Sequence, residues 1–274
     1  MLPLQSYPLQ LAVLSSGSKG NCTWVGDHRN GVLVDCGPSS KRIFELMESV
    51  GLGEAPIDAV LITHEHSDHV GAARILHNKL KKRTGRSVPF FMTKGTLDGC
   101  KEQCIPANVQ LVTAGEPFRH GPFTSEAFSI PHDVRDPVAY RIERGPCAAA
   151  VLTDLGRPTA LVAEKIREVD LLVLETNHDE QMLFEGPYPW ELKQRIRSNH
   201  GHLSNRQSAR LLSMAITPRL KHVVLAHLSE ENNTPELARE AIQQVVGDQP
   251  VTISVGKQLC AMGPYEVRAA MNHA

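Results

Sequence analysis

Hydrophobic and polar positions along this chain follow two periods. Residues 9–15 and 31–36 are short apolar runs on either side of a turn-forming stretch, Ser15-Ser16-Gly17-Ser18-Lys19-Gly20-Asn21, and read as strands. Residues 39–51 place Ile43, Phe44, Met47 and Val50 at helical spacing. Residues 57–63, Ile-Asp-Ala-Val-Leu-Ile-Thr, form an apolar, β-branched run of the kind buried in a sheet, and a helix is expected from about Ala72. Strands are predicted near 88–92, 109–112, 127–131, 138–143 and 147–153. The period then switches repeatedly: helix 160–167, strand 170–175, helices 188–197 and 204–215, strand 221–227, helix 235–246 and strand 250–254. In both halves, runs of strands come first and strands alternating with helices follow. Two sheets packed together with helices outside, an αββα sandwich of the α/β (α+β) class, satisfy that order. No repeat, low-complexity tract or linker interrupts it, so residues 1–274 are expected to form one domain.

Composition narrows the function classes. Hydrophobic residues at 41% and charged residues at 22% are ordinary for a globular chain. A net charge of −1 argues against coating nucleic acid through bulk positive charge, so any such contact is expected to use a local patch. No apolar run approaches the ~20 residues that span a bilayer. The N-terminus lacks the basic segment of a signal peptide, so a cytoplasmic protein with no membrane partner is expected. Cys22, Cys36, Cys100, Cys104, Cys147 and Cys260 then read as thiols; Cys100 and Cys104 have no second pair to complete a metal site. Two basic runs, Lys79, Lys81, Lys82, Arg83, Arg86 and Lys193, Arg195, Arg197, can neutralise a nucleic-acid backbone, although such runs are more often solvated faces.

Histidine changes the picture. There are 13, mostly in short clusters. Residues 63–71 read Thr-His-Glu-His-Ser-Asp-His-Val-Gly and directly follow a buried strand. His64, His66, Asp68 and His69 should therefore sit on the loop at its C-terminal end and converge on cations, since imidazole nitrogen and carboxylate oxygen are ligands that zinc and similar ions prefer. Packing gives no reason for so polar a loop at the end of a core strand.

The pattern His-x-His-x-Asp-His resembles the signature of the metallo-β-lactamase superfamily, and further ligand types follow in the order that fold requires. His132 in Ser-Ile-Pro-His-Asp resembles a third ligand of the first metal. Asp154 in Val-Leu-Thr-Asp-Leu-Gly resembles the bridging carboxylate, and His227 in Val-Val-Leu-Ala-His-Leu-Ser a last ligand of the second metal. The resemblance implies one site of His64, His66 and His132, another of Asp68, His69 and His227, and Asp154 between them. It implies two divalent ions, with zinc, manganese and iron all suited, and a shared hydroxide as nucleophile that Asp68 orients or deprotonates.

Three features indicate the branch. An aspartate at the bridging position argues against a zinc β-lactamase, which carries cysteine there. Gly201-His202-Leu203-Ser204-Asn205 opens a helix and resembles the Gly-His-Ser-Thr element of the tRNA-processing nuclease RNase Z and its phosphodiesterase relatives. By that resemblance His202, oriented by Glu175, is a general acid on the leaving oxygen. Ser204 caps the helix, whose N-terminus can hold a phosphate. Taken with Glu-Thr-Asn-His-Asp at 175–179, these elements and the Ser15–Asn21 turn are similar to the YycJ family (also called WalJ or VicX). That likeness implies a DNA exonuclease of 5′-to-3′ polarity, with His178, Ser204 and Asn205 as substrate-binding residues. A small-molecule cyclic phosphodiesterase is the alternative; a thioesterase, a glyoxalase or a non-catalytic regulator is more distant.

Overall fold

The computed structural model describes residues 8–268, whose strands form two sheets of seven. The first contains β1 (Leu9–Ser15), β2 (Cys22–Gly26), β3 (Gly31–Val34), β4 (Ala59–Leu61), β5 (Phe90–Met92), β6 (Val109–Leu111) and β14 (Met262–Val267). Its order is β14-β1-β2-β3-β4-β5-β6, so the last strand of the chain returns to pair antiparallel with the first. The second contains β7 (Pro117–His120), β8 (Phe123–Ser129), β9 (Val138–Arg144), β10 (Cys147–Leu152), β11 (Leu171–Glu175), β12 (His222–Ala226) and β13 (Thr252–Val255), in the order β13-β12-β11-β10-β9-β8-β7. Each sheet has an antiparallel part and a parallel part: β3 to β6 run parallel in one, β10 to β13 in the other.

Parallel strands need crossovers, and the helices supply them. They are α1 (Ser40–Ser49), α2 (Ser67–Val70), α3 (Ala73–Thr84), α4 (Lys94–Gly99), α5 (Ala160–Ile166), α6 (Glu180–Glu185), α7 (Trp190–Arg197), α8 (Asn205–Ala215) and α9 (Pro235–Val246). The core has three apolar layers. Leu11, Val13, Val34 and Leu61 of the first sheet meet Phe123, Tyr140, Val151 and Val173 of the second. Ile43, Met47, Leu76 and Leu80 cover the outer face of the first sheet. Val162, Leu211, Leu212 and Ile242 cover that of the second. This is the expected αββα sandwich. One polar stitch crosses its middle: the Tyr140 hydroxyl donates to the Ile62 carbonyl at 2.9 Å.

Several elements differ from the sequence reading. β2, β7, β14 and the short helices α2, α4 and α6 are additional. The strand expected at 127–131 begins at Phe123, and that expected at 57–63 shortens to Ala59–Leu61. Residues 62–66 thus leave the sheet early, which frees Thr63, His64 and His66 from the ladder. Asp68 and His69 lie not on an open loop but within α2. No helix among the described residues is long and apolar enough to cross a membrane.

Candidate metal centre

The polar residues converge where the parallel strands end. His64 follows β4, His132 follows β8, Asp154 follows β10, Glu175 closes β11 and His227 follows β12. Asp154 and His227 have positive φ, 57° and 56°, as does Asp35 beyond β3 at 61°. Such backbone is uncommon for residues with a side chain and concentrates at functional sites. It turns each side chain inward at the strand end.

All seven expected donors are brought together. His64, His66 and His132 present nitrogens that lie within 4.8 Å of one another, and so do the ligand atoms of Asp68, His69 and His227. Asp154 stands between the groups: its Oδ2 is 3.0 Å from His69 Nε2, and its Oδ1 is 3.5 Å from His227 Nδ1 and 4.0 Å from His132 Nε2. Partners behind the rings fix their orientation. Thr63 Oγ1 lies 3.0 Å from His64 Nδ1, the Gly201 carbonyl accepts from His132 Nδ1 at 3.2 Å, and Asp35 Oδ2 takes His69 Nδ1 at 2.8 Å. Each contact leaves the opposite nitrogen for the centre.

The donor set fits a divalent cation on two counts. His132 Nε2 is buried with no hydrogen-bond partner, and Asp154 Oδ2 has only the ion-pair approach of His69 Nε2, without hydrogen-bond geometry; a protein rarely tolerates such atoms unpaired. The charge balance points the same way. Burial raises the Asp154 carboxyl, but the imidazoles of His227 and His69 outweigh this and hold it well below the ordinary range. Burial works to lower His69 and His227, yet Asp154 and its neighbouring carboxylates lift them, His227 to about 9. His64, further from those carboxylates, is pushed well down by burial. Buried negative charge that draws protons onto its neighbours is charge that a cation also balances.

Glu175 and His202 form the second part of the site. Glu175 is fully buried. Its Oε2 accepts the backbone N–H of Leu155 at 2.6 Å, and its Oε1 lies 2.8 Å from His202 Nδ1 and 3.1 Å from His227 Nδ1. One carboxylate therefore aligns both the expected acid and an expected ligand, a dual role the sequence did not suggest. His202 keeps 21% of its side chain exposed and lines a cleft of about 470 Å³ with His227, Arg195 and Tyr188. Gly201 makes this possible. A Cβ there would lie 2.2 Å from the carbonyl oxygens of Arg195 and Ile196, so only glycine lets the segment pack on the end of α7.

The Ser15–Asn21 turn borders the centre. Ser16 Oγ accepts the His227 N–H at 2.6 Å, and Asn21 Nδ2 lies 2.9 Å from His69 Nε2. Gly37 closes the junction; a Cβ on it would sit 1.7 Å from the Asp68 carbonyl oxygen. Asp35, Thr63 and Asn177, which bonds the His227 carbonyl at 2.9 Å, are site residues that sequence reasoning missed, and within the expected turn it assigned no role to Ser16 or Asn21. The one available signal was Asp35, a lone acid ending an apolar strand.

The three expected substrate-binding residues are placed differently. Ser204 caps α8, accepts from Gln207 N and donates to Glu180. Asn205 is locked in a reciprocal amide pair with Asn233 at 2.8 and 2.9 Å. Both are buried, and their polar atoms serve the frame, so neither lines the cleft. His178 faces a separate cavity. Of the basic residues, Lys193 is buried and donates to the Phe184 carbonyl, while Arg195 pairs with Asp133 at the cleft rim at 2.6 Å.

The fold and this donor set define a metal-dependent hydrolase of the metallo-β-lactamase type. The family model for the beta-lactamase superfamily domain matches residues 30–228. The chain is 33% identical to exodeoxyribonuclease YycJ of Bacillus anthracis over 244 residues, covering 88% of this chain and 90% of that protein. It is equally 33% identical to exodeoxyribonuclease WalJ of Streptococcus pneumoniae serotype 2, over 83% of this chain and 84% of the other. Among solved structures, the metallo-beta-lactamase fold protein YhfI of Bacillus subtilis superposes with a TM-score of 0.71 at 18% identity, covering 95% of this chain and all of that one. The chain belongs to the beta-lactamase superfamily and, within it, to the family of YycJ and WalJ.

Proposed function

We propose that the protein is a phosphodiester hydrolase that works with two divalent cations, zinc or manganese with iron also suited, and degrades DNA as an exonuclease. His64, His66 and His132 would hold one cation and Asp68, His69 and His227 the other, with Asp154 between. When bound, such cations supply Lewis acidity that activates water and clamps phosphate oxygens. Everything else falls to the chain. Glu175 aligns His202 through Nδ1, which leaves Nε2 on the cleft side to protonate the leaving oxygen. Asp68, with 24% of its side chain exposed, is placed to orient the attacking water or accept its proton.

The single observation that carries the reading is the His202–Glu175 pair, set beside the donor cluster and open to the cleft. An acid so placed serves a poor leaving group such as a sugar hydroxylate. The names of the relatives, both exodeoxyribonucleases, support DNA as the substrate. Polarity from the 5′ end rests on the family resemblance alone. The setting is taken as the cytoplasm, since all six cysteines are free thiols.

The test is digestion of DNA duplexes labelled at either end, with and without a 5′-phosphate, beside a chromogenic phosphodiester. Mononucleotide release from the 5′ end, abolished by chelation and restored by manganese or zinc, is the expected result. Turnover of the small ester with DNA untouched at every salt concentration would overturn the DNA assignment in favour of a small-molecule phosphodiesterase. Failure to take up any metal would overturn the whole reading.

A further inference from the structure

Helix α7 divides two cavities. Leu192, Arg195 and Ile196 line the cleft beside His202, whereas Arg197, in the last turn of the same helix, lines a separate cavity of about 300 Å³. His178, Glu180, Phe184, Arg206 and Gln207 complete it. The two spaces share a wall, because the segment carrying His202 runs on into Ser204, which is bridged to His178.

Three features of this second cavity point to one ligand chemistry. His178 is 2% exposed, and its Nδ1 is buried without a hydrogen-bond partner. Native proteins rarely leave such an atom unpaired away from a functional site. The charges favour an anion. Arg206 Nε shares its only carboxylate, Glu180 Oε1, with the Ser204 hydroxyl, and no carboxylate among the described residues pairs with Arg197. Two guanidiniums thus face one carboxylate, in a cavity that also holds the first turn of the 11-residue helix α8, where the helix dipole favours negative charge. Finally, Phe184 is 62% exposed. An exposed aromatic ring beside arginines is the platform on which a nucleobase stacks while its phosphate is held.

We propose that this cavity is a second subsite for the nucleic-acid strand, in which Arg197 and Arg206 hold a backbone phosphate above His178 and Phe184 stacks on the adjoining base. The inference rests on the reading of the protein as a DNA phosphodiesterase. It adds that the strand passes from the hydrolytic cleft around the end of α7. Guanidinium is suited to this task because its planar fork matches two phosphate oxygens at once.

The test measures binding of a phosphorothioate-protected DNA oligonucleotide to the holo-protein by fluorescence anisotropy across a salt series, for wild type, R197Q, R206Q and F184A. Each arginine variant is expected to weaken binding about 5- to 10-fold and to lessen the slope of log K against log salt by about one. F184A is expected to weaken binding with the slope unchanged. Turnover of a small chromogenic phosphodiester, too short to reach this cavity, should stay at the wild-type level in all three. Wild-type affinity and slope in R197Q and R206Q would overturn the subsite while leaving the DNA reading intact. A wild-type protein that turns over the small ester but binds no oligonucleotide would overturn both. Inorganic phosphate should displace the oligonucleotide from wild type more readily than from R197Q; phosphate binding that R197Q abolishes while oligonucleotide affinity stays at the wild-type level would identify the cavity as a site for free phosphate and overturn the backbone assignment.

Discussion

Asp35 Oδ2 lies 2.8 Å from Nδ1 of His69, with both side chains sealed from solvent. Thr63 braces the acid, donating its backbone N–H to Oδ1 at 2.8 Å and its hydroxyl to Oδ2 at 2.9 Å. The acid directly follows β3, the strand beside β4, so the end of the sheet sets the angle of the His69 ring. Replacing Asp35 by Asn keeps the shape but removes the charge and one acceptor. Outer partners of this kind are worth about 10- to 100-fold in metal affinity. D35N should therefore bind cation about that much more weakly in the group of Asp68, His69 and His227, as read by competition with a chromogenic chelator. Wild-type affinity would show that the contact does not orient the ligand.

His202 and Glu175 should separate under mutation although they touch. His202→Ala is expected to lower turnover of DNA by about 10²- to 10⁴-fold with metal content unchanged. An ester with a good leaving group should lose much less, because it needs little protonation. Glu175→Gln disturbs both His202 and His227, which share its Oε1. Its loss of turnover should come with weaker metal retention on dialysis. Equal losses on good and poor leaving groups in the His202 variant would remove the acid role.

The seven candidate metal donors were legible in sequence because each lies at or just beyond the end of an apolar strand, and the 64–69 cluster carries its spacing locally. Asp35 also ends an apolar strand, but it stands alone without a spaced partner, and its role exists only once β3 lies beside β4. Ser204 was readable as a cap from three neighbouring residues, whereas Asn205 depends on Asn233, 28 positions away. β14 was hidden for another reason. Its Met-Gly-Pro-Tyr-Glu-Val carries two residues that ordinarily break strands, and an edge position tolerates them. The αββα order survived these omissions because the buried central strands, which dominate the apolar pattern, were found apart from β2.

Gly201 offers a test of how tightly the acid is held. A methyl group there meets backbone oxygens, which cannot swing aside as a side chain would. Gly201→Ala should push the segment off α7, break the His202 N–H bond to the Ile196 carbonyl at 2.9 Å and move the carbonyl that orients His132. Overpacking of this sort costs about 1–3 kcal/mol. Urea unfolding should show that loss, and turnover should fall with it. A variant with wild-type stability and activity would mean the approach is looser than the structure shows.

Away from the centre, His120 should make stability depend on pH. Its ring is 8% exposed and packs among Phe91, Phe118 and Phe123. Nε2 meets Ser125 Oγ at 2.6 Å while Nδ1 has no partner. Burial pushes the ring down to about 4, against a weaker upward pull from Asp58. The unfolded chain, with an ordinary histidine near 6.5, binds more protons than the folded one between those values. Stability from this group is thus complete above about pH 6.5 and drains away as pH falls towards 4. Between pH 6.5 and 5 the loss amounts to about 1–2 kcal/mol. His120→Phe suits the aromatic surroundings and does not titrate, though it leaves the Ser125 hydroxyl unpaired and so lowers stability by a pH-independent amount. Unfolding of both proteins in chelator, so that cation release does not intrude, should give curves that converge as pH falls. A constant gap from pH 7.5 to 4.5 would show that His120 is not held neutral by its burial.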